Sequence, residues 1–187
     1  MAADARVDDL IDAAVNELHE IGHFRYLHKI YDEPLSFLQK EPYVSFLQGC
    51  RAVVLGVMTL GGEVDKAVKR HARADMERAV VLSAAASAYL EHLSDTYEQR
   101  FGEQRTYRFC PGYGGSSVTD LPQLFAAVRP EKIGVTLSPS CFMLPEKSMA
   151  GIVGVGKTAQ KSCDGCIVQP HCVFRKEGNR CYSSAKK

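Results

Sequence analysis

Tryptophan is missing from the chain, charges of the two signs almost cancel, and no apolar run approaches the length of a membrane span. The 187 residues carry 23 Lys and Arg against 22 Asp and Glu, a formal charge of +1. Such a balance supplies no global field to draw the chain onto nucleic acid or an acidic surface. A bilayer-spanning helix needs about 20 consecutive apolar residues, and the run AVVLGVMTL at 52–60 falls well short of that. The N-terminal stretch MAADARVDDLIDAAVNEL is acidic and amphipathic, whereas a secretory leader begins basic and continues apolar. These absences lead us to expect a cytoplasmic protein with neither a nucleic-acid nor a membrane partner. The length suits one domain with a real core. Hydrophobic residues at 45% and charged residues at 24% are the usual balance of a soluble globular chain.

Cysteine, by contrast, is plentiful and unevenly placed. Cys50, Cys110 and Cys141 stand apart, while Cys163, Cys166, Cys172 and Cys181 follow one another as C-x2-C-x5-C-x8-C. In a cytoplasmic chain this pattern reads as ligands or thiols rather than as a disulfide framework. A C-x-x-C turn directs two thiolates at one metal, and the later pair completes a four-sulfur shell. Both Zn²⁺ and an iron–sulfur cluster accept such a shell, and spacing does not decide between them. His171 is a substitute ligand for zinc, and thiols that hold no metal are the plainer alternative. The tail from Lys157 onward has no hydrophobic periodicity, so a metal is what would pin it.

Val7, Leu10, Ile11, Ala14, Val15 and Leu18 recur at helical spacing, predicting an opening helix of about four turns. Residues 52–60 read as a strand buried on both faces. From Glu63 to about Phe101 the composition favours helix. Asp75 is placed to cap a second helix there, with Ala79, Leu82, Ala86, Tyr89 and Leu93 on one face. Strands are expected at 105–110, 133–137 and 149–155, with a Gly- and Ser-rich turn, PGYGGSS, and a short helix at 121–128 between the first two. The order points to an α+β fold with a twisted antiparallel sheet and flanking helices. It divides as a helical segment at 1–49, a core at 50–156 and a Cys-rich tail at 157–187, together one unit.

Gly151 to Thr158, GIVGVGKT, matches the phosphate-loop pattern G-x-x-x-x-G-K-[ST]. That loop requires a strand before it and a helix after it, whose N-terminus supplies N–H groups to phosphate. Here the first variable positions continue a strand, and about one helical turn of chain remains before the cysteines. The nucleotide reading is therefore set aside.

A more specific signal lies at RTYRFCPGYGG (105–115) and KIGVTLSPSCFMLPEKSMAGIVG (132–154). These segments resemble the reductive-activation domain of cobalamin-dependent methionine synthase, and are closest to stand-alone activation-subunit relatives. The shared elements are an R-x-x-P-G-Y turn (Arg108, Pro111, Gly112, Tyr113), then Ser140, Met143, Pro145, Lys147, Ser148 and Gly151. Upstream, VMTLGGEVDKAV resembles the family's T-x-G segment, and the family's helical Glu falls on Glu91. The likeness spans roughly 50–181.

The resemblance implies reductive activation of a corrinoid (cobalamin) protein such as methionine synthase, returning cob(II)alamin to its active state. S-adenosylmethionine would be the methyl donor; if the cysteine tail holds a [4Fe–4S] cluster it would relay electrons, whereas the alternative, zinc, would be purely structural. Glu91 and Arg108 would hold the donor's amino-acid end; Pro111, Gly112 and Gly114 would form the close-approach turn, and Tyr113 would face the corrin. A carboxylate for the ammonium and a guanidinium for the carboxylate suit that zwitterion. Cys163, Cys166, Cys172 and Cys181 would be the metal ligands. No D-x-H-x-x-G corrin-binding segment occurs, so cobalamin would be presented by a partner chain, with ferredoxin or flavodoxin as electron donor. No nucleophile–base arrangement is evident, and whether the chain is itself an enzyme stays open. A reading from another class is a non-catalytic adaptor with a structural zinc site that docks on a corrinoid methyltransferase.

Overall fold

Ala52–Thr59 (β2) is the strand on which the rest is built, and its apolar run is buried on both faces as expected. The computed structural model describes residues 2–159, 163, 166 and 169–180. In it β2 pairs antiparallel with Arg25–Tyr31 (β1) on one side and Ser148–Val155 (β5) on the other. Thr136–Leu137 (β3) and Met143–Leu144 (β4) form a separate short hairpin. Residues 151–155 thus lie within β5, in keeping with the rejection of a phosphate loop.

Successive residues of β2 point to opposite faces, and each face has its own core. Val53, Leu55 and Val57 pack with Ala150, Ile152, Phe109 and Tyr43 against the helices Tyr43–Leu47 (α2) and Leu121–Val128 (α5). Met58 on the other face packs beneath the helices Ala2–Ile21 (α1), Gly62–Ala74 (α3) and Met76–Glu98 (α4), with Ala14, Leu18, Val64, Leu82 and Ala86. The sheet is therefore a middle layer between two helical layers, an α+β arrangement with an antiparallel sheet. Asp75 caps α4 as its position suggests, its carboxylate accepting from Arg78 N at 3.2 Å. A short helix, Val173–Lys176 (α6), lies in the described part of the tail.

Three expectations need correction. The sequence reading places no strand before Ala52, whereas β1 pairs along its length from Arg25↔Thr59 to Tyr31↔Val53. RYLHKIY mixes charge and aromatics on an edge strand, so neither a clean alternation nor an apolar run marks it. The opening helix is present as expected, and in α1 Ala14 and Leu18 are buried while Val7, Ile11 and Val15 are exposed. At 133–137, the turn Pro130–Ile133 takes most of the segment and only two residues pair.

The third correction shapes the site. Residues 105–110 are not a regular strand but an irregular fourth edge along β5, bridging at Arg105↔Val155 and Phe109↔Ile152. Between these bridges the outer segment has one residue more than β5, which is the geometry of a β-bulge. Thr106 Oγ1, rather than a backbone carbonyl, accepts from Gly154 N at 2.9 Å. Phe109 then enters the core with Tyr43 and Ile152, and Arg108 turns to the opposite face beneath α4.

The loop after the bulge is anchored by Asp120, which is buried. Tyr43 Oη donates to its Oδ2 at 2.8 Å, and Lys40 Nζ pairs with Oδ1 at 2.6 Å. Tyr43→Phe removes a hydrogen bond to a buried carboxylate. It should lower stability by about 1.5–3 kcal/mol in urea-induced unfolding; an unchanged midpoint would show that Tyr43 contributes packing alone.

Candidate functional site

Arg108 pairs with three carboxylates, and its side chain is almost completely buried, 3% exposed. A guanidinium taken out of water requires ionic partners and a space for its long stem. Both are present. Gly56 of β2 and Gly151 of β5 are register partners, and together they leave a side-chain-free trough across the sheet. A Cβ on Gly151 would lie 2.6 Å from Arg108 Cδ, and one on Gly56 would lie 2.8 Å from two ring carbons of Tyr26. The trough thus houses the Arg108 stem and the Tyr26 ring side by side.

The partners come from α4. Glu91, Asp95 and Glu98 follow at i, i+4 and i+7, so they share one face of the helix. Arg108 Nη2 donates to Glu91 Oε2 and, at 2.9 Å, to Asp95 Oδ1. Its Nη1 lies 2.6 Å from Glu98 Oε1, yet off the N–H direction, so this contact is an ion pair without an aligned hydrogen bond. Tyr26 Oη donates to the same Glu98 oxygen at 2.8 Å. Tyr26 is held in turn by stacking on Tyr97, with ring centroids 4.1 Å apart and planes within 7°.

Burial separates the three carboxylates. The Glu98 side chain is 5% exposed, whereas Glu91 and Asp95 are 52% and 65% exposed. Burial pushes the Glu98 carboxyl above its ordinary range, against the pull of Arg108. For Arg108 burial acts against the charge, but Glu98 and Glu91 outweigh it and the guanidinium stays protonated. Burial and the neighbouring Glu98 both raise the Tyr26 phenol. The site is therefore a buried cation anchored on one edge by Glu98 and capped on the other by two carboxylates that reach solvent. An outside carboxylate reaches Arg108 only by displacing one of those two.

Three residues beyond Arg108 the chain enters the turn predicted as a close-approach element. Pro111 is buried, while Gly112, Tyr113 and Gly114 are exposed. Gly112 and Gly114 have φ of +95° and +56°, a region that disfavours side chains. Val118 and Phe109 fill the underside, 2.7 Å and 3.0 Å from where Cβ atoms on these two glycines would lie. Ser116 Oγ accepts from Gly112 N at 3.0 Å and donates to Tyr113 O at 2.7 Å, so the Gly-Gly-Ser-Ser continuation closes the turn on itself. Tyr113 projects outward, 73% exposed. An open groove lined by Phe125, Leu137 and Pro139 lies elsewhere, between α5 and the β3–β4 hairpin.

The structure thus joins Glu91 to Arg108 in an ion pair and sets Pro111, Gly112, Tyr113 and Gly114 directly after them. Asp95, Glu98, Tyr26 and Gly56 are additional members that sequence reading missed; the E-x-x-x-D-x-x-E spacing on a helix was the available signal. In the tail, Cys163, Cys166 and Cys172 are half-buried, and Cys181 lies outside the described residues. Among the described residues no three His, Cys, Asp or Glu side chains form a group able to hold a metal ion. Among the described residues no helix is long and apolar enough to cross a membrane.

No protein-family model and no curated protein matches the sequence. Among solved structures, the crystal structure of the MetH reactivation domain bound to AdoHcy is similar, with a TM-score of 0.63. The match covers 95% of this chain and 74% of that one, at 14% sequence identity. At that identity the likeness establishes the fold: the protein has the architecture of a MetH reactivation domain.

The buried phenol sets a pH dependence. A folded-state pKa above the unfolded one adds stability that is complete below the unfolded value and is lost as pH rises through and beyond it. For Tyr26 that loss begins near pH ~10. In chemical denaturation between pH 9 and 11, Tyr26→Phe should flatten the fall in stability by up to about one proton's worth of slope. An identical slope in the variant would contradict the assignment.

Proposed function

We propose that the protein assists reductive activation of a corrinoid carried by another protein, and that it binds S-adenosylmethionine at Glu91 and Arg108. The observation that carries this reading is the buried Arg108, ringed by α4 carboxylates and followed at once by an exposed glycine turn. The shared fold, with a relative solved in complex with AdoHcy, supports the same ligand class.

The residues fit an α-amino-acid end. Arg108 matches a carboxylate in charge and planar geometry, and Glu91 matches an ammonium. Gly112 and Gly114 let backbone approach a ligand without side-chain obstruction, and Tyr113 offers an exposed ring to a planar partner. S-adenosylmethionine, when bound, supplies the methyl group. The chain's own part is to orient: the Glu98–Tyr26 anchor fixes Arg108, and Arg108 with Glu91 fixes the ligand's amino-acid end. Positioning of this kind lowers a barrier by removing rotational and translational freedom before reaction. The corrinoid would be presented by its carrier, a methionine synthase or similar methyltransferase, with a ferredoxin or flavodoxin as reductant. In the tail, Cys163, Cys166, Cys172 and Cys181 form a metal proposal that rests on spacing, and no step is routed through it.

A second reading is favoured by one observation: Arg108 is already capped by Glu91, Asp95 and Glu98. On that reading the cluster is structural and the protein is an adaptor that docks on a corrinoid methyltransferase.

Calorimetric titration with S-adenosylmethionine separates the two. Saturable binding by the wild type, weakened at least about tenfold in Arg108→Ala (about 1.4 kcal/mol or more), is the expected result. Absence of binding by the wild type favours the adaptor. For the tail, metal analysis of an anaerobic preparation should find one metal site per chain that Cys163→Ser with Cys166→Ser removes. Equal metal content in the variant would exclude these cysteines as ligands.

A further inference from the structure

The two edges of the Arg108 guanidinium are held very differently. At Nη1 lies Glu98, 5% exposed and tied to Tyr26, which is itself wedged over Gly56 and stacked on Tyr97. Nothing on that edge moves without unpacking the trough. At Nη2 lie Glu91 and Asp95, both more than half exposed. Only the carboxylate side of these two pairs is exposed, so each carboxylate recovers its hydration on leaving, while the buried guanidinium must be given another anion in its place. The cluster also holds three carboxylates against one cation, so charge balance at Arg108 does not require all three.

We propose that Asp95 is a built-in stand-in for a ligand carboxylate: it caps Arg108 Nη2 until it is exchanged for the carboxylate of an incoming α-amino-acid group. This rests on the reading of the site as one for an adenosyl amino acid, and it specifies how that ligand is admitted. Asp95 is the carboxylate that gives way. It is the more exposed of the pair, and its single contact with Arg108 is the 2.9 Å bond to Nη2. Glu91 remains to meet the ammonium. The exchange conserves charge, since a zwitterion brings one positive and one negative group. Glu98 and Tyr26 are positioning residues that keep the guanidinium plane fixed while its partner changes. Asp95 therefore competes only with ligands that bring a carboxylate to Nη2; a ligand lacking one leaves the Asp95–Arg108 bond in place.

The test compares two neutral adenosyl thioethers: S-adenosylhomocysteine, which carries the amino-acid end, and 5′-methylthioadenosine, which lacks it. Calorimetry on the full chain with Asp95→Asn and Asp95→Ala should show S-adenosylhomocysteine binding tightened by about two- to fivefold, the scale of one exposed ion pair. Affinity for 5′-methylthioadenosine should be unchanged, and Asp95→Glu, which keeps a competing carboxylate, should stay near the wild type. Thermal unfolding without ligand reports separately on folding. Unchanged or weakened S-adenosylhomocysteine binding in folded Asp95 variants overturns the proposal, as does equal tightening of both ligands. Failure of the wild type to bind S-adenosylhomocysteine or S-adenosylmethionine at all overturns the underlying site assignment, and the exchange with it.

Discussion

Holding a guanidinium inside a protein is costly unless charge and space are both supplied, and the arrangement around Arg108 depends on that requirement. The charge comes from one face of α4, through Glu91, Asp95 and Glu98. The space comes from the sheet, where Gly56 and Gly151 stand opposite each other on β2 and β5. Tyr26 of β1 closes the anchored end by donating to Glu98. Four separate segments, distant in the chain, thus meet at one cation, and each is shaped to admit it.

The bulge opposite β5 links this cluster to the exposed turn. A regular strand at 105–110 would also alternate side chains, but the extra residue resets which of them face the helices and which enter the opposite core. Phe109 packs with Ile152 and Tyr43, and its ring also underlies Gly114. Arg108, one residue earlier, lies beneath α4. The turn carrying Tyr113 is therefore seated on one core while the cation beside it belongs to the other face. An exposed aromatic and a buried charge are thereby set five residues apart in the chain on opposite sides of the sheet's edge.

Several parts were legible in the sequence for simple reasons. β2 showed as an apolar run because it is buried on both faces, and Asp75 showed as a cap because short polar side chains compete for free helix N–H groups. The antiparallel α+β class and the dismissal of the phosphate loop followed from element order and from the strand pattern at 149–155. Arg108 and Glu91 were visible by resemblance alone. β1 escaped notice because an edge strand that mixes charged, aromatic and apolar residues along one face has no periodic signature. The strand expected at 105–110 lost its regularity to the bulge, and the one at 133–137 gave way to the turn at Pro130–Ile133.

What the sequence by itself determined was periodicity: which stretches are helical, which strand is central, and where glycine and proline interrupt them. Those features follow from neighbours in the chain. Only the tertiary structure decided that a tyrosine at 26, glycines at 56 and 151, and carboxylates at 91, 95 and 98 would share one arginine. Such a grouping depends on strand register and on which helix face meets the sheet, and neither is encoded in local spacing. A glycine in a strand and a glutamate on a helix are ordinary residues until a buried positive charge gives both a role.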